Sequence, residues 1–431
     1  MITVNDIKPD RKKAPPIVDA VNLKLQLKPY EKYVLKNGVE VYAIDAGAEE
    51  VMMIEWVFYA GNWFEEKNLQ AATTNFFLKN GTRTRTAFQI NEYFEYYGAY
   101  LNRNCYPETS TLSLHCLSKN IGELLPVVKQ LLTESVFPED ELAIYKQNMQ
   151  QRLSVNMQKC DFVAGRLIDT YLFGEDHPYG RVSKHEYFEA LQREQLVNFY
   201  KKYYQQGKFV IFMAGKLPAN IESLLNNNFG DLTSNEIALK PIITSPEKEK
   251  KHRIINDANG VQGAIRMARP FPNRHHPDFQ KVQVLNNLFG GFFGSRLMSN
   301  IREEKGYTYG IHSYLLNQIQ ESAWMISTEA GRDVCELTIK EVYNEINLLR
   351  EELVDEEELM LVRNYMMGTI LGDLDGPFHI ISRWKNLILN GLDENYFYDS
   401  METIRNISAV EIRELAQKYL DPESFYELVV V

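Results

Sequence analysis

An α+β fold of two repeated domains, each an antiparallel sheet with helices packed mainly on one face, is what the sequence predicts, on three observations. At 431 residues, 45% hydrophobic and 24% charged, the chain is globular in composition and long enough for two domains. Strand-like alternation and helical three- and four-residue spacing then recur in the same order in both halves, although identity between the halves is faint. Between them, NEIALKPIITSPEKEKKH loses periodicity and carries Pro241 and Pro246, so a boundary is expected near residues 235 to 250. The resulting division is an N-terminal arm over 1–25, a first domain over 26–240 and a second over 245–431.

The elements follow in order. EKYVLKNGVEVYAIDAG reads as a hairpin turning at Asn37-Gly38, and VMMIEWVFYAGNWFE as the next strand. A helix is expected over 67–79, stopped by Gly81-Thr82, then a second amphipathic helix in AFQINEYFEYYGA and strands in LNRNCYPET and STLSLHCLS. Residues 119–204 are mostly helical in pattern, and KFVIFMAGKL supplies a buried strand. The second half repeats this with strands HRIINDANG and QGAIRMARPF, helices HPDFQKVQVLNNLFGG and SRLMSNIREEKG, strands YTYGIHSYLL and SAWMISTEA, long helices and a closing strand FYELVVV.

Composition excludes some partners. A formal charge of −11 without a clustered basic face argues against nucleic acid and anionic membrane surfaces. Nowhere is there an uncharged apolar run of about 18 residues, so membrane insertion is not expected. The first residues lack a signal-like apolar stretch, which makes cytoplasm the simplest address, or periplasm if a signal was removed. Cys105, Cys116, Cys160 and Cys335 form no framework, and free thiols are expected, with one cross-hairpin disulfide between Cys105 and Cys116 open in an oxidising compartment.

The eight histidines begin only at His115 and form no HxxH, HxxxH or HxH pair, so a self-contained histidine zinc site is not expected. GxSxG and GxxxxGK[ST] are also absent. The glycines at 290, 291 and 294 read as a close-packed helix junction. What stands out is SRLMSNIREEKGYTYGIHSYL, in which a helix stopped by Gly306 leads directly into a strand. Arg302 falls in the last helical turn, and Tyr307 and Tyr309 alternate with Thr308, so both tyrosines are expected on one strand face. A guanidinium and a phenol brought together by such a turn can both donate to one carbonyl oxygen, as oxyanion stabilisation requires; the competing reading is a salt-bridged Arg302 and a half-buried Tyr309.

These segments resemble the pitrilysin-like inverzincin peptidases, the family of mitochondrial processing peptidase and insulin-degrading enzyme, over nearly the whole chain from YVLKNGVEVYAID through HPYG to the last strand. The resemblance implies a processing-peptidase-like fold and a His-x-x-Glu-His helix just before Gly81-Thr82, where this chain has Ala72, Asn75 and Phe76. The third ligand, a glutamate on a later helix, aligns with Arg152. Ala and Phe offer no lone pair, Asn cannot act as the general base, and Arg repels a cation. By the same resemblance, Arg302 and Tyr309 match an arginine and tyrosine that bind substrate backbone opposite the zinc, with Tyr307 a second choice. The implied function is a zinc-free subunit of a heterodimeric metallopeptidase, binding peptide and stabilising the transition state at the zinc of a homologous partner. No cofactor is expected in this chain. The alternatives are a structural scaffold of the core-subunit type and a peptide-binding homodimer without hydrolysis.

Overall fold

The computed structural model describes residues 18–431; the Pro-rich start of the arm, residues 1–17, lies outside the described residues. The first sheet consists of β1 (Glu31–Val34), β2 (Glu40–Asp45), β3 (Val51–Phe58), β4 (Tyr100–Cys105), β5 (Ser110–Leu117) and β6 (Phe209–Gly215), in the order β1-β2-β6-β3-β5-β4. The second consists of β7 (Lys251–Ile254), β8 (Gln262–Phe271), β9 (Thr308–Asn317), β10 (Ser322–Gly331) and β11 (Tyr426–Val430), in the order β7-β11-β8-β10-β9. Without β1 the two orders match strand for strand, which is the internal repeat in three dimensions. Each sheet departs from the all-antiparallel expectation by one parallel pair, β2 with β6 and β7 with β11, because the closing strand of each half returns beside the first after a long helical excursion.

Local chemistry accounts for the punctuation. Asn37-Gly38 turns β1 into β2 with Gly38 at φ 86°, a conformation that glycine adopts without a Cβ penalty. Thr86 with Gln89, and Ser408 with Glu411, close reciprocal capping boxes at two helix starts. Residues 236–250, between the first sheet and β7, hold no helix or strand.

The near-continuous apolar runs of β3 and β6 have a direct cause, since both faces of the central strands are covered. On one face, Val41, Ile54, Trp56 and Ile211 pack beneath the first half's own helices. On the other, Tyr42, Ile44, Val57 and Phe212 meet Ile380, Ile381 and Trp384 of helix Pro377–Leu389, which belongs to the second half. The second sheet reciprocates. Its Ala264, Ala268, Ala323 and Leu428 receive Val163, Ala164, Ile168 and Leu172 of helix Cys160–Phe173, from the first half, and the run of alanines lets that helix approach closely. Each large apolar side chain buried there contributes roughly 2 kcal/mol.

Each exchanged helix also brings a charge to a buried opposite charge. Lys385 Nζ donates to Glu55 Oε2 at 2.5 Å on β3, and Arg266 on β8 pairs with Asp161. Glu55 lies opposite Ser113 of β5, and Arg266 opposite Ser327 of β10, so the two buried charges occupy equivalent positions with opposite signs. Among the described residues no helix is long and apolar enough to cross a membrane. All four cysteines are free: Cys105 faces Ser110 and Cys116 faces Met52, so the two thiols sit at opposite ends of the β4–β5 ladder and the cross-hairpin disulfide is ruled out by register.

Candidate functional site

Helix Gln70–Phe77 is shorter than the expected 67–79 and is set by its entry. Leu69 takes a left-handed conformation at φ 74°, the Glu65 carboxylate accepts from Ala71 N at 2.8 Å, and the Gln70 side chain accepts from Glu66 N and Lys67 N. Glu65 thereby satisfies one N–H that the first helical turn leaves orphaned, and Gln70 ties down the chain just before it. The helix then presents Ala72, Asn75 and Phe76 to a cavity of about 610 Å³ whose far wall is helix Glu139–Asn156, including Arg152. All four positions singled out by the family resemblance therefore line one cavity.

The residues there do not fit zinc. Buried Asn75 uses its Nδ2 on Thr111 O at 3.3 Å and Tyr204 OH at 3.1 Å, a structural tie between helix and sheet. The Phe76 ring lies 4.8 Å from the Tyr145 ring and carries the Arg103 guanidinium 5.0 Å above it, and Arg103 also donates to Phe76 O. Ala72 has no donor atom and Arg152 is an exposed cation. Zinc needs three or four N, S or O lone pairs converging on it. Among the described residues no group of three or more His, Cys, Asp or Glu is placed to hold a metal ion.

Arg103 is the feature of this cavity that motif reading missed. It comes from strand β4, some thirty residues from the helix, and nothing in a helix motif points to it. Its one visible signal is alternation: Leu101 is buried against the helices, so Arg103, two residues on, faces the same side. Burial pushes its guanidinium down to about 10, with the field of Tyr204 acting the other way.

In the second half, Arg302 and Tyr309 are brought together. Met298–Glu304 forms a π turn instead of the expected α-helix, pinned by Asn300 Nδ2 donating to Glu345 Oε1 at 2.7 Å and ended by Gly306 at φ 65°. Close packing supports this geometry, because a Cβ on Gly290 would come within 2.7 Å of Ser313 Cβ on β9, in keeping with the helix-junction reading of that glycine. Arg302 Nε donates to Tyr309 O at 2.9 Å, and the guanidinium lies 4.6 Å from the Phe293 ring centre and 5.8 Å from that of Tyr309. Arg302 Nη1 also pairs with Glu303 Oε1 at 3.6 Å, the ion pair of the competing reading, whereas the half-buried Tyr309 of that reading is not seen. Tyr309 is 93% exposed, and its hydroxyl makes no hydrogen bond with the described residues. Tyr307 behaves differently: β9 begins at Thr308, so Tyr307 leaves the Gly306 turn before the pleat is established and packs half-buried against the core. The expectation that both tyrosines share a face is corrected accordingly. Phe293, 61% exposed, provides the second ring beside Arg302.

The cavity is lined wholly by residues 72–152, whereas the arginine–tyrosine pair stands on the second half. Two family models match the chain, the cavity residues falling in one match and the arginine–tyrosine pair in the other. The insulinase (peptidase family M16) model matches residues 49–175 and the peptidase M16 inactive domain model matches residues 190–366. An uncharacterized zinc protease of Rickettsia felis is 24% identical over 406 residues, covering 92% of this chain and 90% of that protein. The non-peptidase homolog YmxG of Helicobacter pylori is 22% identical over 387 residues, covering 85% of this chain and 86% of that protein. In fold, the chain is similar to the crystal structure of a peptidase M16 inactive domain from Pseudomonas fluorescens, with a TM-score of 0.84 at 22% identity, over 93% of this chain and 98% of that one. Matched in both halves and along nearly its whole length, the chain belongs to the pitrilysin-like M16 peptidase family, as a member without a metal-binding group among its described residues.

Proposed function

We propose that this chain is the zinc-free subunit of a two-chain metallopeptidase, binding an extended peptide and stabilising the tetrahedral oxyanion formed at a homologous, zinc-bearing partner. The observation that carries this reading is the contrast between the two halves. The first half has filled the metal position with a methyl, a ring and an amide engaged elsewhere, while the second keeps a guanidinium and a phenol together, ordered and facing solvent. A structural scaffold has no need to hold an arginine between two exposed rings with its terminal nitrogens in no carboxylate contact closer than 3.6 Å. Because Arg302 Nε is already committed to Tyr309 O, its terminal nitrogens are pre-oriented donors, and little reorganisation is needed when a negative oxygen arrives. Strand β9, which carries Tyr309, is an edge strand with one unpaired side, the arrangement that recruits an extended peptide by strand addition.

The test is reconstitution. Mixed with a zinc-bearing homologue from the same host, the chain is expected to co-elute as a heterodimer on gel filtration and to yield peptide hydrolysis that neither chain shows alone. Co-elution without any gain in hydrolysis favours the scaffold reading, and failure to associate with every such homologue refutes the heterodimer.

A further inference from the structure

The dismantled metal position has kept a cavity and remained cationic. Two guanidinium groups line it, Arg103 from the floor and Arg152 from the rim, and neither has a carboxylate within 4 Å among the described residues. Arg103 is held in place by its bond to Phe76 O and by stacking on the Phe76 ring, which uses part of its donor fork and leaves the rest free. Against these two arginines the wall carries one acid, Glu141, so the lining has a net positive charge. Apolar groups share the lining with the guanidiniums, Ile144 and Phe76 exposed at 55% and 39% and Tyr145 and Met149 half-buried.

A desolvated arginine without a counter-charge costs stability unless something compensates it, and an exposed apolar rim around it favours a ligand with both an anion and a carbon chain. The location narrows the choice to peptide. Arg103 lies on β4, the outermost strand of the first sheet, and a segment added to that free edge would send alternate side chains toward the helix side, where the cavity opens. We propose that this cavity binds a peptide carboxylate, from an acidic side chain or a free C-terminus, through Arg103 and Arg152, with Phe76, Tyr145 and Ile144 covering its carbon chain. The proposal deepens the peptide-binding reading and rests on it.

Fluorescence anisotropy on the isolated full-length chain tests it. The probes are a fluorescein-labelled extended peptide rich in Val and Thr with one central Glu, its Gln counterpart, and each of these with a free or amidated C-terminus. The carboxylate form is expected to bind about tenfold or more tightly than its neutral counterpart, the scale of a charge-assisted hydrogen-bonded pair. Arg152→Glu, a change at an exposed position, should erase the preference, and so should Arg103→Met if it folds. A Glu-against-Gln difference assigns the anion to a side chain, and an acid-against-amide difference assigns it to the terminus; either supports the proposal. Equal binding of charged and neutral peptides, or a preference that survives Arg152→Glu, overturns it while leaving the Arg302–Tyr309 reading intact. Absence of binding by every peptide overturns both this proposal and the peptide-binding reading beneath it.

Discussion

Removing the Lys385 ammonium should loosen the contact between the two halves. In the parent, Glu55 has one carboxylate oxygen on Ser113 Oγ at 2.8 Å and the other on Lys385 Nζ at 2.5 Å. Its side chain is 9% exposed and that of Lys385 25%. In Lys385→Met the ring-packed helix Pro377–Leu389 keeps its apolar stem, but Glu55 becomes a nearly buried charge with a single hydroxyl donor. Breaking a buried pair by removing one partner costs about 3 to 5 kcal/mol, and the remaining Ser113 bond together with partial access to water places this case near about 3 kcal/mol. Urea unfolding followed by tryptophan fluorescence should show the loss, and hydrogen exchange should localise it to β3 and helix Pro377–Leu389. Adding Glu55→Gln should recover most of the loss, because the uncompensated charge is then gone. In the equivalent pair, Asp161→Asn leaves Arg266, whose side chain is 8% exposed, without its carboxylate, and should cost about 2 kcal/mol, less than Lys385→Met because the amide oxygen can still accept from the guanidinium. A Lys385→Met chain as stable as the parent, or no recovery in the double variant, would refute the buried-charge reasoning.

Two further outcomes are expected. Burial of Asp169, on the helix that crosses to the second sheet, pushes its carboxyl up to about 7 from 3.8 against the opposing field of Arg266, so the folded chain holds this proton where the unfolded chain has lost it. Stability should therefore fall as pH rises between about 4 and 7, and Asp169→Asn should gain roughly 2 kcal/mol on the parent between pH 5 and 7.5 in denaturant midpoints; a pH-independent difference would contradict this. Zinc analysis after dialysis against a mild chelator should find little metal in the parent or in Ala72→His, because one imidazole does not make a zinc site; one tightly held zinc per chain in the parent would overturn the reading of the cavity.

Much of this architecture was legible because it rests on local pattern. Continuous apolar runs such as VMMIEWVF announce strands covered on both faces, and the matching order of elements announces the repeat. What was not legible depends on contacts distant in sequence. Val163, Ile168 and Leu172 look like core of their own half, and only the sheet that they reach shows that the helix crosses to the other. The π turn carrying Arg302 follows from packing against helix Cys335–Glu351 and β9, which helical spacing alone does not encode. Tyr307 was misplaced because alternation was extended one residue past the true start of β9. Arg103 was missed because the search for metal chemistry followed a helix motif, whereas the cavity floor is a strand. Ala72, Asn75, Phe76 and Arg152 line one cavity, although no pattern internal to this sequence connects residue 76 with residue 152.

The most direct test of the account is steady-state peptide hydrolysis by the reconstituted pair carrying Arg302→Ala or Tyr309→Phe in this chain. Neither side chain supports the core, so folding and assembly should survive, as read by gel filtration and circular dichroism. If Arg302 and Tyr309 donate to the developing oxyanion, each substitution should lower kcat by about 10²-fold, the scale of losing one such donor. Turnover unchanged by both substitutions in an intact complex would contradict the account and leave this chain as scaffold.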